Sequence, residues 1–529
     1  MSAIINTANR QIARAAGTVM AAFVLSNVTG LIRQILVSNA FGTSAEIDAF
    51  NAAARLPDLL FSLVAGGALA SAFIPTYSGF LTREDKAGAW HLASAVGNLV
   101  TIILTVTSAL AALFAPQVVR YIIYILVPNQ DPSQIGLTAE LLRIMLLSPV
   151  IFGISGLLMG ILNAHQVFLL PALAPTMYWL GMIFGVLFLV PEWGIHGLAW
   201  GVVIGAVMHL GIQLPALRRL GGDYFATIGL RFPAVREVGR LMAPRLLGVA
   251  VVQLNFLVNT ILASAQPEGS LTAITLAWAV MTMPQVVIAQ SIAIAALPTF
   301  CNQFDRGQLL ELRASLAGTL RGLIFLALPA SLGLILLRRP IVALLFQRGE
   351  FDAHSTELVA WALLWYAAGL VGHSVVEILS RAFYAMHDTR TPVFIGAAAM
   401  SLNLAFSFAF AALFLRIGWA PHGGLALANS AATALEMTGL LVLMRRRLNG
   451  LNGREILSGL GQAVAASLAM SLVLWLWMAQ TTSQTTWLTA GAGIALGAGA
   501  YALLIFALGV PEARWVGKEL ITRWKSLTP

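Results

Sequence analysis

The run VLSNVTGLIRQILVSNAFG, Val24 to Gly42, continues as TSAEIDAFNAAARLPDLLFSLVAGGALASAFIPTYSGF to Phe80 and decides the fold. Most of it is apolar enough for lipid. Yet Ser26, Asn27, Arg33, Asp48, Arg55 and Asp58 lie inside or at the edges of its two hydrophobic segments. A charge at the bilayer centre costs at least about 2.5–3.5 kcal/mol on the insertion scale, so such side chains face a bundle interior or a wet cavity, commonly in pairs. Pro57, Pro75 and the pair Gly66–Gly67 predict bends and close backbone contacts. The reading is a polar, basic cavity lined by the first two membrane helices.

Spacing sharpens it. Ser26 and Arg33 are seven apart, two helical turns, with Gly30 on the same face; Asn27 leans away. Asp48 and Arg55 are also seven apart. Ser26, Arg33, Asp48 and Arg55 are therefore the candidate substrate-binding residues. Each also has a plainer role open to it. Arg33 can snorkel to the interface, Asp48 can complement a helix dipole, and Asp48 with Arg55 can form a structural ion-pair ladder. His373 and Glu377, four apart in a later apolar segment, form a candidate proton- or ion-coupling pair or a packing pair.

The whole chain agrees with a membrane protein. Of 529 residues, 59% are hydrophobic and only 10% charged, with a mean hydropathy of +0.84. A soluble domain carries about 25% charged residues. A single cysteine, Cys301, excludes an intramolecular disulfide and a Cys-based metal cluster. The net charge of +9 fits basic cytoplasmic loops rather than nucleic acid. The N-terminal MSAIINTANRQIARAAG lacks a compact signal-peptide layout and is expected to be a short amphipathic lead, retained in the mature protein.

Apolar segments of about 20 residues are the unit to count. About fourteen are expected, centred on 13–39, 47–79, 89–115, 138–162, 168–190, 195–215, 236–264, 271–301, 312–337, 356–384, 391–415, 422–444, 456–479 and 487–510. The tail from Pro511 reads as an interfacial amphipathic helix. With the N-terminus inside, twenty-one of the 31 Lys and Arg fall on the cytoplasmic side, five outside and five within spans, which predicts both termini inside. Arg338 and Arg339, in an expected outer loop, are the misfit.

A weak internal repeat matches Ile74-Pro75-Thr76-Tyr77 to Leu297-Pro298-Thr299-Phe300, and Leu56-Pro57 to Met283-Pro284. It predicts parallel lobes with a site between them. The expected organisation is an N-terminal lobe of six helices over 1–220, a C-terminal lobe of six over 221–450, and two extra helices with the tail over 451–529. No GxxxxGK[ST], HExxH or GxSxG motif is present, so nothing supports enzymatic chemistry.

Several blocks add a resemblance. They are Gly30-Leu31-Ile32-Arg33, Ile47-Asp48-Ala49-Phe50, Arg55-Leu56-Pro57-Asp58-Leu59-Leu60, Gly67-Ala68-Leu69 and Ala72-Phe73-Ile74-Pro75. Later come Leu344-Leu345-Phe346-Gln347-Arg348-Gly349 and Arg381-Ala382-Phe383-Tyr384-Ala385-Met386, then His387-Asp388-Thr389-Arg390-Thr391-Pro392-Val393. Over about residues 15–450 the chain resembles the MurJ/MviN family of lipid II flippases, in the multidrug/oligosaccharidyl-lipid/polysaccharide exporter superfamily. The resemblance implies fourteen helices in two lobes and a central cationic cavity in which Ser26, Arg33 and Asp48 match polar positions. It also implies alternating access that carries a lipid-linked peptidoglycan precursor outward, and a groove for the lipid tail on helices 13 and 14. Asn27, Phe61, Gly66 and the stretch Ala277 to Thr282 depart from the charged residues of that pattern.

The sequence thus predicts an all-α polytopic flippase, not an enzyme, in a bacterial cytoplasmic membrane. Its expected partners are a lipid-linked glycan diphosphate, membrane lipids and cell-wall synthesis enzymes. No cofactor is expected beyond a coupling H+ or Na+ or the membrane potential. The alternatives are an ion-coupled antiporter, a flippase of another lipid-linked glycan, or a non-transporting scaffold for cell-envelope enzymes. The charge asymmetry makes one expectation directly testable. Cysteines placed in the 216–240 loop of a Cys301-free protein should resist a membrane-impermeant thiol reagent in intact cells; ready labelling would reverse the orientation.

Overall fold

In lipid every backbone N–H and C=O must be satisfied within its own segment, which leaves the helix as the economical solution for these long apolar runs. Every regular element among the described residues is accordingly helical. The computed structural model describes residues 2–64, 68–127, 131–481 and 486–507, with side chains from Ala22 onward except at 64, 68–71, 244–245, 247–248, 251 and 486. The Gly66–Gly67 bend, the Arg245 side chain and the tail predicted from Pro511 lie outside the described residues.

The chain divides into two compact units, residues 1–269 with Arg348–Phe351, and residues 270–347 with 352–529. The first contains α1 (Ser2–Phe41), α2 (Ala45–Val64), α3 (Ala68–Thr82), α4 (Lys86–Leu113), α5 (Pro132–Met145), α6 (Leu147–Ala164), α7 (Leu169–Phe184), α8 (Ile195–Gly211) and α9 (Pro233–Ser264). Here α1 packs on α7, α2 on α5 and α9, and α3 on α6 and α9. The expected division lay at 220/221. Packing groups α9 with the first unit, because it lies along α2 and α3.

The segment leading into α9 is strapped to α4. The Asn98 amide donates to the carbonyls of Phe225 at 3.2 Å and Thr227 at 2.8 Å. The Phe225 N–H donates to Ser94 Oγ at 3.0 Å. These bonds satisfy irregular backbone that has no helix to do so.

The second unit contains α10 (Ser270–Gln285), α11 (Ser291–Asp305), α12 (Leu309–Leu336), α13 (Arg338–Phe346), α14 (Ala353–Ala368), α15 (Leu370–Ala385), α16 (Arg390–Arg416), α17 (His422–Arg447), α18 (Gly453–Gln480) and α19 (Thr486–Ala507). Each unit holds two proline-bearing helices close in sequence, α2 with Pro57 and α3 with Pro75 in the first, and α10 with Pro284 and α11 with Pro298 in the second, where the π-helical turn Val286–Gln290 joins them into one span. Each also holds a span divided in two, α5 to α6 and α14 to α15, the latter bent by 45°. Leu337 to Pro340 is not a loop but the entry to α13, and Arg339 is neutralised by Glu357, at 2.8 and 2.9 Å.

The His387–Val393 block is structural. His387 takes a left-handed φ of 58°, and Asp388 accepts from the Thr391 N–H at 3.0 Å and the Thr391 hydroxyl at 2.8 Å, starting α16. Arg447 lies 3.4 Å from the same carboxylate. The Thr391 bonds, with Arg447 beside them, hold the Asp388 carboxyl below its usual range.

Ten helices among the described residues are long and apolar enough to cross a membrane, or eleven with the bent pair α14–α15 taken as one. The other three of the fourteen expected segments, α1, α2 with α3, and α9, each include or adjoin residues outside the description.

The pairing of α7 with α8 positions part of the candidate site. A Cβ on Gly181 would overlap the backbone of Gly205, and one on Gly205 would lie 2.5 Å from the Tyr178 carbonyl. Small residues let the two backbones touch, and van der Waals contact is what joins helices in lipid. Gly205→Val should therefore cost about 1–3 kcal/mol or more through overpacking. Gly211→Val, with open space around it, should be neutral. Thermal melts of the two solubilised variants measure the difference.

Candidate functional site

Arg33 sits on the α1 face that meets α7. One turn earlier, Gly30 lets the Trp179 indole approach: a Cβ there would lie 3.3 Å from Trp179 Nε1. The Arg33 guanidinium carbon then lies 4.8 Å from the Trp179 ring centre. Such a contact is worth about 0.5–1 kcal/mol when exposed and about 2 when desolvated. Arg55, on α2, lies 5.9 Å from the ring centre of Phe256 on α9. The Nε of each arginine is buried without a hydrogen-bond partner, and neither guanidinium forms an ion pair with a described carboxylate.

Asp58 is the acid these arginines feel. It is exposed in the middle of α2 and within electrostatic reach of Arg55 first and Arg33 second. Two formal cations and one anion leave a positive charge in excess. Asp48 is placed elsewhere. Its carboxylate accepts the Gly269 N–H at 2.8 Å, while the Ala45 N–H donates to Glu268 at 2.7 Å. These bonds pin the start of α2 to the corner after α9. Asp48 there lines a cavity of about 290 Å³ with Asp131 and Glu268. Arg55 is about 10 Å further along the helix axis. Ser26 is buried on α1, two turns before Arg33, and Asn27 is exposed, its amide donating to the Phe23 carbonyl at 2.9 Å.

A run of aromatic side chains leads from Phe61 to Trp179. Phe61 packs on Phe152 with ring centres 4.7 Å apart, and Phe152 meets Tyr178 edge-on at 5.2 Å. Tyr178 is 4.8 Å from Trp179. Behind this wall Ser155 Oγ and His209 Nδ1 are 2.7 Å apart, and the Gln213 amide donates to Ser155 Oγ at 2.7 Å. The sequence reading missed Trp179, Phe256 and Phe152. Nothing in their spacing ties them to Arg33 or Arg55, since they lie on helices remote in sequence.

In the second unit His373 and Glu377 share α15 but not a partner. His373 Nε2 lies 3.0 Å from Asn429 Oδ1 and 3.3 Å from Thr433 Oγ1, both on α17. Trp278 stands edge-on to it at 5.3 Å. Glu377 is instead paired with Arg381, one turn on, at 3.0 Å. The histidine is thus tied to a neighbouring helix, and the glutamate is neutralised on its own.

Comparison with known proteins agrees with this architecture. The family described as "Lipid II flippase MurJ" matches residues 37–492. The chain is 33% identical over 442 residues to "Lipid II flippase MurJ" of Burkholderia cenocepacia, covering 82% of this chain and 84% of that protein. It is 28% identical over 527 residues to "Probable lipid II flippase MurJ" of Vibrio cholerae, covering 95% and 97%. The fold matches a structure titled "Lipid II flippase MurJ, inward closed conformation" with a TM-score of 0.79, at 24% identity and covering 92% of this chain and 97% of that one. It also matches an inward-facing multidrug resistance MATE transporter of the MOP superfamily, with a TM-score of 0.66 at 17% identity. With most of its length matched by the family and 33% identity to the Burkholderia relative over 442 residues, this multi-pass membrane protein belongs to the MurJ family of lipid II flippases.

Proposed function

We propose that this chain moves a lipid-linked glycan diphosphate, with lipid II as the substrate, from the inner to the outer leaflet of a bacterial cytoplasmic membrane by alternating access. The observation that carries this reading is the pair Arg33 and Arg55. Each is half-buried, backed by an aromatic ring and free of any ion pair with a described carboxylate. A guanidinium binds a phosphate through parallel N–H donors, and a ring behind it fixes its plane without using those donors. A diphosphate cannot enter about 30 Å of hydrocarbon unaided, so a partly desolvated cationic site is what its translocation needs. The faces of Trp179, Tyr178 and Phe61 suit the apolar face of a sugar ring. Asp58 keeps the arginines from trapping the anion, and Asp48 sets the start of α2. The reaction is movement, with no bond made.

His373 and Glu377 are the proposed coupling groups, each taking a proton or a cation in a separate polar setting on α15. Both termini and the 216–240 loop lie in the cytoplasm in this reading, which follows the basic asymmetry.

Arg33→Ala should lower flipping of a labelled polyprenyl-diphosphate glycan in proteoliposomes about tenfold to a hundredfold. That is what losing a charge-assisted contact of about 1.5–3 kcal/mol implies. The folded amount should be unchanged, and Arg33→Lys should rescue only in part, because an ammonium has no fork. Wild-type rates for Arg33→Ala would remove the arginine from the mechanism. Failure of the wild-type protein to support a strain depleted of its own lipid II flippase would remove lipid II as the substrate.

Glu377→Gln should lower transport and flatten its pH dependence at normal expression. An unchanged pH profile would return the Glu377–Arg381 pair to a packing role.

A further inference from the structure

A second basic site lies in the other unit, where the C-terminus of α17, the loop after it and the start of α18 meet α12. These elements enclose a groove of about 900 Å³ lined by Arg313, Arg445 and Arg454. No acid among the described residues lines it; Glu455 lines an adjoining cavity of about 580 Å³. The loop is shaped around Arg313. Its Nη1 donates to the Asn449 carbonyl at 3.2 Å, and its Nε is buried without a partner. Gly450 leaves the room: a Cβ there would lie 2.7 Å from Arg313 Cζ, and its φ of +129° disfavours any other residue.

The charge is graded along the helices. Arg445 lies at the end of α17, with Val442 and Leu441 one turn deeper. Arg454 lies in the first turn of α18, with Leu457 one turn deeper. Val442 is 45% exposed and Leu457 67%, on helices read as membrane spans, so the deep part of the groove opens to acyl chains. A soluble anion would leave that apolar part uncovered, and a protein segment would have to enter lipid to cover it.

We propose that this groove binds an anionic glycerophospholipid of the adjacent leaflet. Its phosphodiester sits among Arg313, Arg445 and Arg454, and its acyl chains run along Val442 and Leu457. The matching is of charge with charge and chain with apolar wall, the usual logic of basic pockets at the cytoplasmic ends of spans. It is independent of the transported substrate, because its test reads lipid binding and not flipping.

The test uses the full chain in neutral detergent with added phosphatidylglycerol, phosphatidylcholine or glycerol 3-phosphate. Lipid retention is read by native mass spectrometry and stability by thermal melting. Arg445 and Arg454 are exposed, so the double variant R445Q/R454Q keeps its fold; R446Q, also exposed but outside the groove, is the control. Wild type and R446Q should retain phosphatidylglycerol and melt higher with it. The double variant should lose at least tenfold in phosphatidylglycerol retention. Equal retention of phosphatidylcholine, an equal shift with glycerol 3-phosphate alone, or undiminished phosphatidylglycerol binding by R445Q/R454Q would each overturn the proposal.

Discussion

The first unit depends on how two arginines are kept in spans that lipid would rather leave uncharged. Arg33 and Arg55 are not neutralised by salt bridges to described residues. They are set against Trp179 and Phe256, with Asp58 in electrostatic reach. A ring face lowers the cost of desolvating a guanidinium without consuming its hydrogen-bond donors. A tight carboxylate pair would lower the same cost and leave little for a phosphate. The arrangement keeps cationic capacity in reserve, which the proposed translocation of an anion requires.

Holding those rings in place falls to helix packing. Trp179 and Tyr178 ride on α7, which is locked to α8 through Gly181 and Gly205 and reaches α1 over Gly30. Phe256 rides on α9, which packs along α2 and α3. The start of α2 is pinned by Asp48 and Glu268 at the corner after α9. Glycine contacts, backbone caps and the two cation–π contacts thus form one mechanical assembly, in which moving α7 or α9 moves the support of an arginine.

The second unit handles its polar residues differently. His373 is bonded across to α17, Glu377 is paired within α15, and Asp388 is spent on starting α16. Its uncompensated cations gather at the helix ends around Arg313, Arg445 and Arg454. The first unit thus keeps Arg33 and Arg55 within its spans, while in the second Arg313, Arg445 and Arg454 meet near helix ends. In the proposed reading this contrast separates a site for cargo from a site for the surrounding lipid.

Much of this was legible in the order of residues alone. Hydropathy and span length determined the helical class, because continuous apolar runs of about 20 residues satisfy their backbone in lipid as helices, whereas barrel strands are about half as long. The spacing of Ser26, Gly30 and Arg33 determined that they share a face, since helical periodicity is local. Blocks such as Ile47-Asp48-Ala49-Phe50 and His387 to Val393 pointed to the family. Tertiary structure alone decided the partners. It placed Asp48 on the Gly269 backbone and left Asp58 as the acid near the arginines. It put Trp179 and Phe256 behind the guanidiniums from helices well over a hundred positions away, parted His373 from Glu377, and gathered α9 with the first unit. The physical reason is that periodicity fixes which way a side chain points along its own helix, while its contacts depend on which helices meet, and long-range packing sets that.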